Sequence, residues 1–208
     1  FYAAYLAVSG ADHPMTAETL ASQPNDPMDV AEALLAEPPG GRTIFYQKHM
    51  THHMLPGFGL DWMAACRNAF LIRDPELVLA SYVEKRGDVT LADVGFVQQA
   101  EIFAREADRL GHAPPVVEGI DVLRDPAGTL SKLCAALGIA WDAAMLSWPP
   151  GRRETDGVWA PAWYDAVEKS TGFEAPKAEK RPRLNHHLQK IANEARPYYE
   201  RVAKWKLT

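Results

Sequence analysis

Two short stretches of the chain concentrate side chains that can move protons or neutralise anionic charge. In the first, Gln47-Lys48-His49-Met50 is followed at once by His52 and His53. A lysine here can offset charge developing on a transferring phosphoryl or sulfuryl group. A neighbouring histidine can take the proton of an acceptor hydroxyl, because its pKa lies near neutrality. The plain alternative makes His52 and His53 surface residues of a loop. The i, i+3, i+4 spacing of His49, His52 and His53 would also serve a metal, but no Asp or Glu falls inside the cluster, so no metal is expected. The second stretch is Leu71-Ile72-Arg73-Asp74-Pro75, followed by Ser81 and Tyr82. Arginine offers a planar fork of donors, and a helix opening just behind it offers free N–H groups, so this stretch suits an anion. The rival arrangement pairs Arg73 with Asp74 or Glu76 and leaves Ser81 as a small packing residue.

The elements that must position these groups follow from local signals. TIFYQ at 43–47 has the Thr, Ile, Phe and Tyr content of a strand after a Pro/Gly turn, which would deliver Lys48 to a sheet edge. NAFLI at 68–72 is a second strand, delivering Arg73, and VVEG at 116–119 is a third. Asp74-Pro75 and Asp125-Pro126 both open helices, and Gly138 closes the second of them. Residues 2–8 suit a short helix or buried arm. Residues 28–37, 90–110, 162–170 and 184–206 carry helical patterns, the last with a bend at Pro197. Pro149 to Trp159 is a loop bearing Arg152 and Arg153, and 177–183 is a charged, Pro-broken linker. Short strands alternating with helices predict an α/β fold on a parallel sheet, and ligands in such folds sit beyond the carboxyl ends of the strands.

With 208 residues, 47% hydrophobic and 24% charged, the chain has the balance of one globular domain. Its 22 Lys and Arg against 27 Asp and Glu give a net charge of -5, which excludes a basic nucleic-acid coat protein. Cys66 and Cys134 form no C-x-x-C unit, arguing against a disulfide framework and for a reduced, cytoplasmic setting. No apolar run is long enough for a membrane span. Neither G-x-x-x-x-G-K-[ST] nor G-x-G-x-x-G occurs, and no Ser-His-Asp triad stands out.

FLIRDPELVLASY at 70–82 resembles the 3'-phosphate motif of the cytosolic-type sulfotransferase superfamily, whose members use 3'-phosphoadenosine 5'-phosphosulfate (PAPS). That motif is a strand ending in Arg-Asp-Pro, with a serine eight positions after the arginine, and Arg73 and Ser81 occupy those places. FYQKH at 45–49 is similar to the family's strand-end lysine and histidine. The family writes Lys-x-His, whereas Lys48 and His49 are adjacent and Met50 holds the expected position. The base therefore stays open among His49, His52 and His53, with His49 first. IDVLRDPAGTLSKLCAALGI at 120–139 resembles another family helix. GRRETDGVWA at 151–160 is similar to the late loop that closes on the cofactor phosphate, with Arg152 and Arg153 competing for that contact. Residues 120–173 look especially like the sulfotransferase-like segment of some aminotransferase-like proteins.

The resemblance implies a P-loop NTPase-like three-layer fold around a central parallel sheet. Its first strand and 5'-phosphosulfate loop would precede Phe1, so a single domain over 1–208 would be truncated at its N-terminus. The linker and helix over 177–208 would pack on the same domain. The implied activity is transfer of a sulfuryl group from PAPS to a hydroxyl or amine of a small molecule, releasing adenosine 3',5'-bisphosphate without a metal. Lys48 and His49 would carry the transfer, while Arg73, Ser81 and one of Arg152 or Arg153 would hold the cofactor. Tyr198, Tyr199 and Trp205 leave a homo-oligomer open, with packing on the parent domain as the default. Two rivals stand beside this: a P-loop-type kinase or nucleotide hydrolase needing ATP and Mg²⁺, and a non-catalytic adaptor.

Overall fold

Asp and Asn side chains cap four of the α-helices among the described residues. A computed structural model describes residues 1–84, 87–176 and 182–208. In chain order the elements are α1 (Tyr2–Ser9), α2 (Thr16–Ser22), α3 (Pro27–Leu35), β1 (Phe70–Ile72), α4 (Pro75–Val83) and α5 (Phe96–Leu110). They continue with β2 (Val116–Glu118), α6 (Gly119–Arg124), α7 (Pro126–Leu137), α8 (Ala160–Trp163), α9 (Asp165–Lys169) and α10 (His186–Ala203). Asp26, Asp74 and Asp125 each accept a hydrogen bond from the first turn of α3, α4 and α7, with proline at the first helical position. Asn185 caps α10 in the same way, through Leu188 N–H.

The described residues form two compact units, one of residues 1–67 and 148–171, the other of residues 68–147 and 172–208. In the first, α1 packs on α2 and on the 3-10 turn Thr51–His53. Ala4, Val30 and Phe58 make its core, joined by Phe1, Leu34 and Leu55. In the second, β1 and β2 pair in parallel, with Phe70 opposite Val116 and Ile72 opposite Glu118. Leu79, Val89, Leu188, Ile191 and Ala192 form a core in which α10 covers α4. Burying such side chains contributes roughly 1.5–3 kcal/mol each. Pro197 is accommodated inside α10. The architecture is a helix-rich α/β one with a small parallel sheet, and β1 and β2 fall where NAFLI and VVEG predict strands.

Several expectations are corrected. TIFYQ at 43–47 forms no strand: Ile44, Phe45 and Tyr46 are 55%, 42% and 83% exposed, so nothing buries the residues whose β-propensity suggested pairing. The helix expected from residue 90 begins only at Phe96, because Gly95 sits in the left-handed region at φ 67 and turns the chain into α5. The helix over 162–170 is two short ones, α8 and α9, meeting at Tyr164. Most of the linker, residues 177–181, lies outside the described residues. Among the described residues, no helix is long and apolar enough to cross a membrane.

Candidate functional site

Lys48 and His49 lie in a segment without regular secondary structure that leads into the Thr51–His53 turn, and not at the end of a strand. Lys48 is exposed, and its ammonium has no hydrogen bond or ion pair among the described residues. His49 is half-buried between aromatic rings, with Phe1 6.0 Å and Trp62 5.3 Å away between centroids. Its Nε2 lies 3.2 Å from Gln47 Oε1, and Gln47 Nε2 in turn donates to the carbonyl of Leu34 over 2.7 Å. Burial lowers the His49 pKa to about 4, so its imidazole is neutral at pH 7. The Trp62 indole N–H beside it is buried without a hydrogen-bond partner among the described residues.

His52 and His53 are not loose surface residues. His53 is held by Tyr2 at 4.9 Å and 22° and by Tyr5 at 4.8 Å and 30°, with the His52 ring edge-on at 4.2 Å. Burial, followed by the charges of His52, His13 and Lys48, lowers the His53 pKa to about 2. Tyr2 OH and His13 Nδ1 are 2.9 Å apart, and His13 also meets Tyr5 and Trp163. Sequence reasoning missed Tyr2, Tyr5, His13 and Trp163. The i, i+3 spacing of Tyr2 and Tyr5 on one face of α1 was the available signal, because such residues are neighbours on a helix.

In the same unit, Arg152 and Arg153 are exposed, and their guanidinium groups have no partner among the described residues. The loop that bears them is tied by Arg153 N–H to Asp156 Oδ2 at 2.8 Å and by Gly151 N–H to Glu168 O at 2.6 Å. Trp159 folds back over Gly157 and meets Tyr2 edge-on at 6.0 Å. Its indole occupies the space a side chain at Gly157 would need, with ring atoms 2.1 Å from an added Cβ.

Arg73 and Ser81 belong to the second unit. Arg73 directly follows β1, as expected, and is exposed. It pairs with neither Asp74 nor Glu76. Those carboxylates instead face Arg196 of α10, at 2.6 Å and 3.8 Å. Burial alone would raise the Asp74 pKa, but the Arg196 hydrogen bond and the N–H groups of Glu76 and Leu77 outweigh it and hold the carboxyl below its usual value. Ser81 is exposed near the end of α4. Farther along, Glu118 accepts from Tyr199 OH and from Lys206 Nζ, which also pairs with Asp121. Tyr199 is thus turned onto its own unit. No group of three or more His, Cys, Asp or Glu side chains is arranged to hold a metal ion among the described residues.

Comparison with known proteins places these residues in context. A family model described as a sulfotransferase domain matches residues 1–204. The Arabidopsis thaliana protein named branched-chain-amino-acid aminotransferase-like protein 2 is 32% identical over 176 residues, 85% of this chain and 31% of its own length. Its relative, branched-chain-amino-acid aminotransferase-like protein 1, is 33% identical over 189 residues, 89% of this chain and 33% of its own. The chain thus spans about a third of the length of these curated relatives. No solved structure matches.

Proposed function

Because the chain belongs to the sulfotransferase-domain family, we propose that it works as a PAPS-dependent sulfotransferase on a hydroxyl or amine of a small molecule. The fold we propose around the small parallel sheet is the P-loop NTPase-like three-layer type. The observation that carries the donor assignment is the state of Arg73: exposed beyond β1 and unpaired among the described residues, while its neighbour Asp74 is neutralised by Arg196. A carboxylate paired elsewhere leaves the arginine fork available for a phosphate. These residues fit an anionic donor, and Arg73 and Ser81 would hold its 3'-phosphate. PAPS supplies the sulfuryl group when bound.

The chain's own groups then have separate tasks. Lys48 opposes the negative charge that grows on the leaving oxygen. His49, neutral at pH 7, takes the proton of the attacking hydroxyl or amine. Arg152 or Arg153 adds positive charge from an exposed loop.

The test is calorimetry on the full gene product, titrated with adenosine 3',5'-bisphosphate, adenosine 5'-monophosphate and ATP with Mg²⁺. Tight, metal-independent binding of the bisphosphate is expected. Arg73→Ala should weaken it far more than it weakens the monophosphate. Equal loss for both ligands would remove the 3'-phosphate role, and a preference for Mg·ATP would favour the kinase-like rival.

A further inference from the structure

Gln47 was not among the residues whose types suggested chemistry, yet among the described residues it makes the only side-chain hydrogen bond of the His49 ring. Its orientation is determined by its other partner. Leu34 O is a carbonyl and can only accept, so the Gln47 atom 2.7 Å from it is the NH₂ group. A flipped amide would set two acceptor oxygens against each other at that distance. The Gln47 atom facing His49 Nε2 at 3.2 Å is consequently the carbonyl Oε1, which needs a donor. A neutral imidazole meets that need with Nε2–H, which leaves Nδ1 bare. His49 Nδ1 has no hydrogen-bond partner among the described residues, so its lone pair is uncommitted.

Resting on the reading of His49 as the base, we infer that Gln47 is a positioning residue: anchored on Leu34 O, it holds His49 as the Nε2–H tautomer and makes Nδ1 the nitrogen that receives the acceptor's proton. The transfer balances on that atom. The acceptor's O–H or N–H bond breaks and an Nδ1–H bond forms. The acceptor's electron pair makes the new bond to sulfur, and the bridging S–O pair departs with the bisphosphate. The resulting imidazolium donates through both nitrogens, Nε2–H still toward Gln47, and returns the Nδ1 proton to water. This is the logic by which an orienting group behind a histidine sets which nitrogen is basic.

The tautomer can be read without any activity. The protein is labelled with ring-¹⁵N histidine and two-bond ¹H–¹⁵N correlations are recorded near pH 7.5. The signal absent from a His49→Gln sample identifies His49 among the seven histidines. Expected is a protonated Nε2 and a bare Nδ1 resonating far downfield. A protonated Nδ1 in the unsubstituted protein overturns the inference, with no variant needing to fold. Gln47→Leu should convert the pattern to a tautomer mixture and lower turnover ~10- to 100-fold, bisphosphate affinity unchanged. An unaltered tautomer in Gln47→Leu overturns the role given to Gln47. If His49→Ala leaves turnover intact, the base reading fails and the catalytic half of this inference falls with it. The wild-type spectrum still decides the tautomer.

Discussion

Arg196 on α10 reaches Asp74 at the start of α4 with both guanidinium nitrogens, Nη1 at 2.6 Å and Nη2 at 3.4 Å. The two residues are far apart in sequence, and the contact ties the last helix to the position immediately after Arg73. Both side chains are about a third exposed, which limits the pair to about 1–2 kcal/mol after screening. Arg196→Ala should lower Tm by about 2–4 °C per kcal/mol lost. It should also free the Asp74 carboxylate to neutralise Arg73, so bisphosphate affinity falls together with Tm. Arg196→Lys, which keeps the charge without the fork, should recover part of each. Thermal melting and calorimetry on the three proteins check this. Full bisphosphate affinity in a destabilised Arg196→Ala protein would show that Asp74 does not control Arg73.

The depressed histidines set a pH dependence. In the unfolded chain His49 and His53 take up a proton near pH 6.5, whereas in the folded protein they do so only at about 4 and about 2. Between those values the unfolded state binds more protons, so stability is full above about pH 6.5 and is lost as pH falls. Tm should therefore decline from pH 7.5 toward pH 4.5. His53→Gln should flatten the decline more than His49→Gln below pH 4, where only His53 is still resisting protonation. A flat profile in the unsubstituted protein would mean that both rings are protonated in place.

Helix starts were legible because their signals are local. Asp-Pro pairs at 74–75 and 125–126 satisfy N–H groups within one turn, whatever the rest of the chain does; the same pair at 26–27 does so for α3 but was not read as a cap. Arg73 after β1 was legible for the same reason, since NAFLI is short, apolar and followed by a cap. The segment 43–47 was not, because β-propensity states that a residue fits a pleated, half-buried surface, and here no surface covers Tyr46. The histidine environment was hidden as well. His13 and His53 meet through Tyr2 and Tyr5, a contact between segments that no window of neighbouring residues contains. Gln47 was passed over because its task depends on a carbonyl in α3.

The approach of Trp159 to Gly157 gives a third expectation. An added Cβ at Gly157 falls 2.1 Å from the indole, so Gly157→Ala must drive the ring away. The edge-on contact with Tyr2 is then lost. Overpacking of this kind costs about 1–3 kcal/mol, and here the swing of an indole toward solvent holds it to the lower part of that range. Tryptophan emission should shift to the red and Tm should fall by a few degrees. An unshifted emission spectrum would mean that the ring does not rest on Gly157 in solution.

His49 and His53 should separate by what their loss damages. The His53 ring packs on Tyr2 and Tyr5 and makes no hydrogen bond among the described residues, so it acts as packing. At roughly 0.5–1.5 kcal/mol per aromatic pair, His53→Ala should cost about 1–3 kcal/mol of stability. Turnover per folded molecule should stay near that of the parent. His49→Ala reverses the pattern: turnover drops by ~10² or more, with bisphosphate affinity retained. Chemical denaturation, single-turnover rates and bisphosphate titration on the two variants distinguish the cases. A His53→Ala protein of unchanged stability but lost turnover would move the proton-accepting role from His49 to His53.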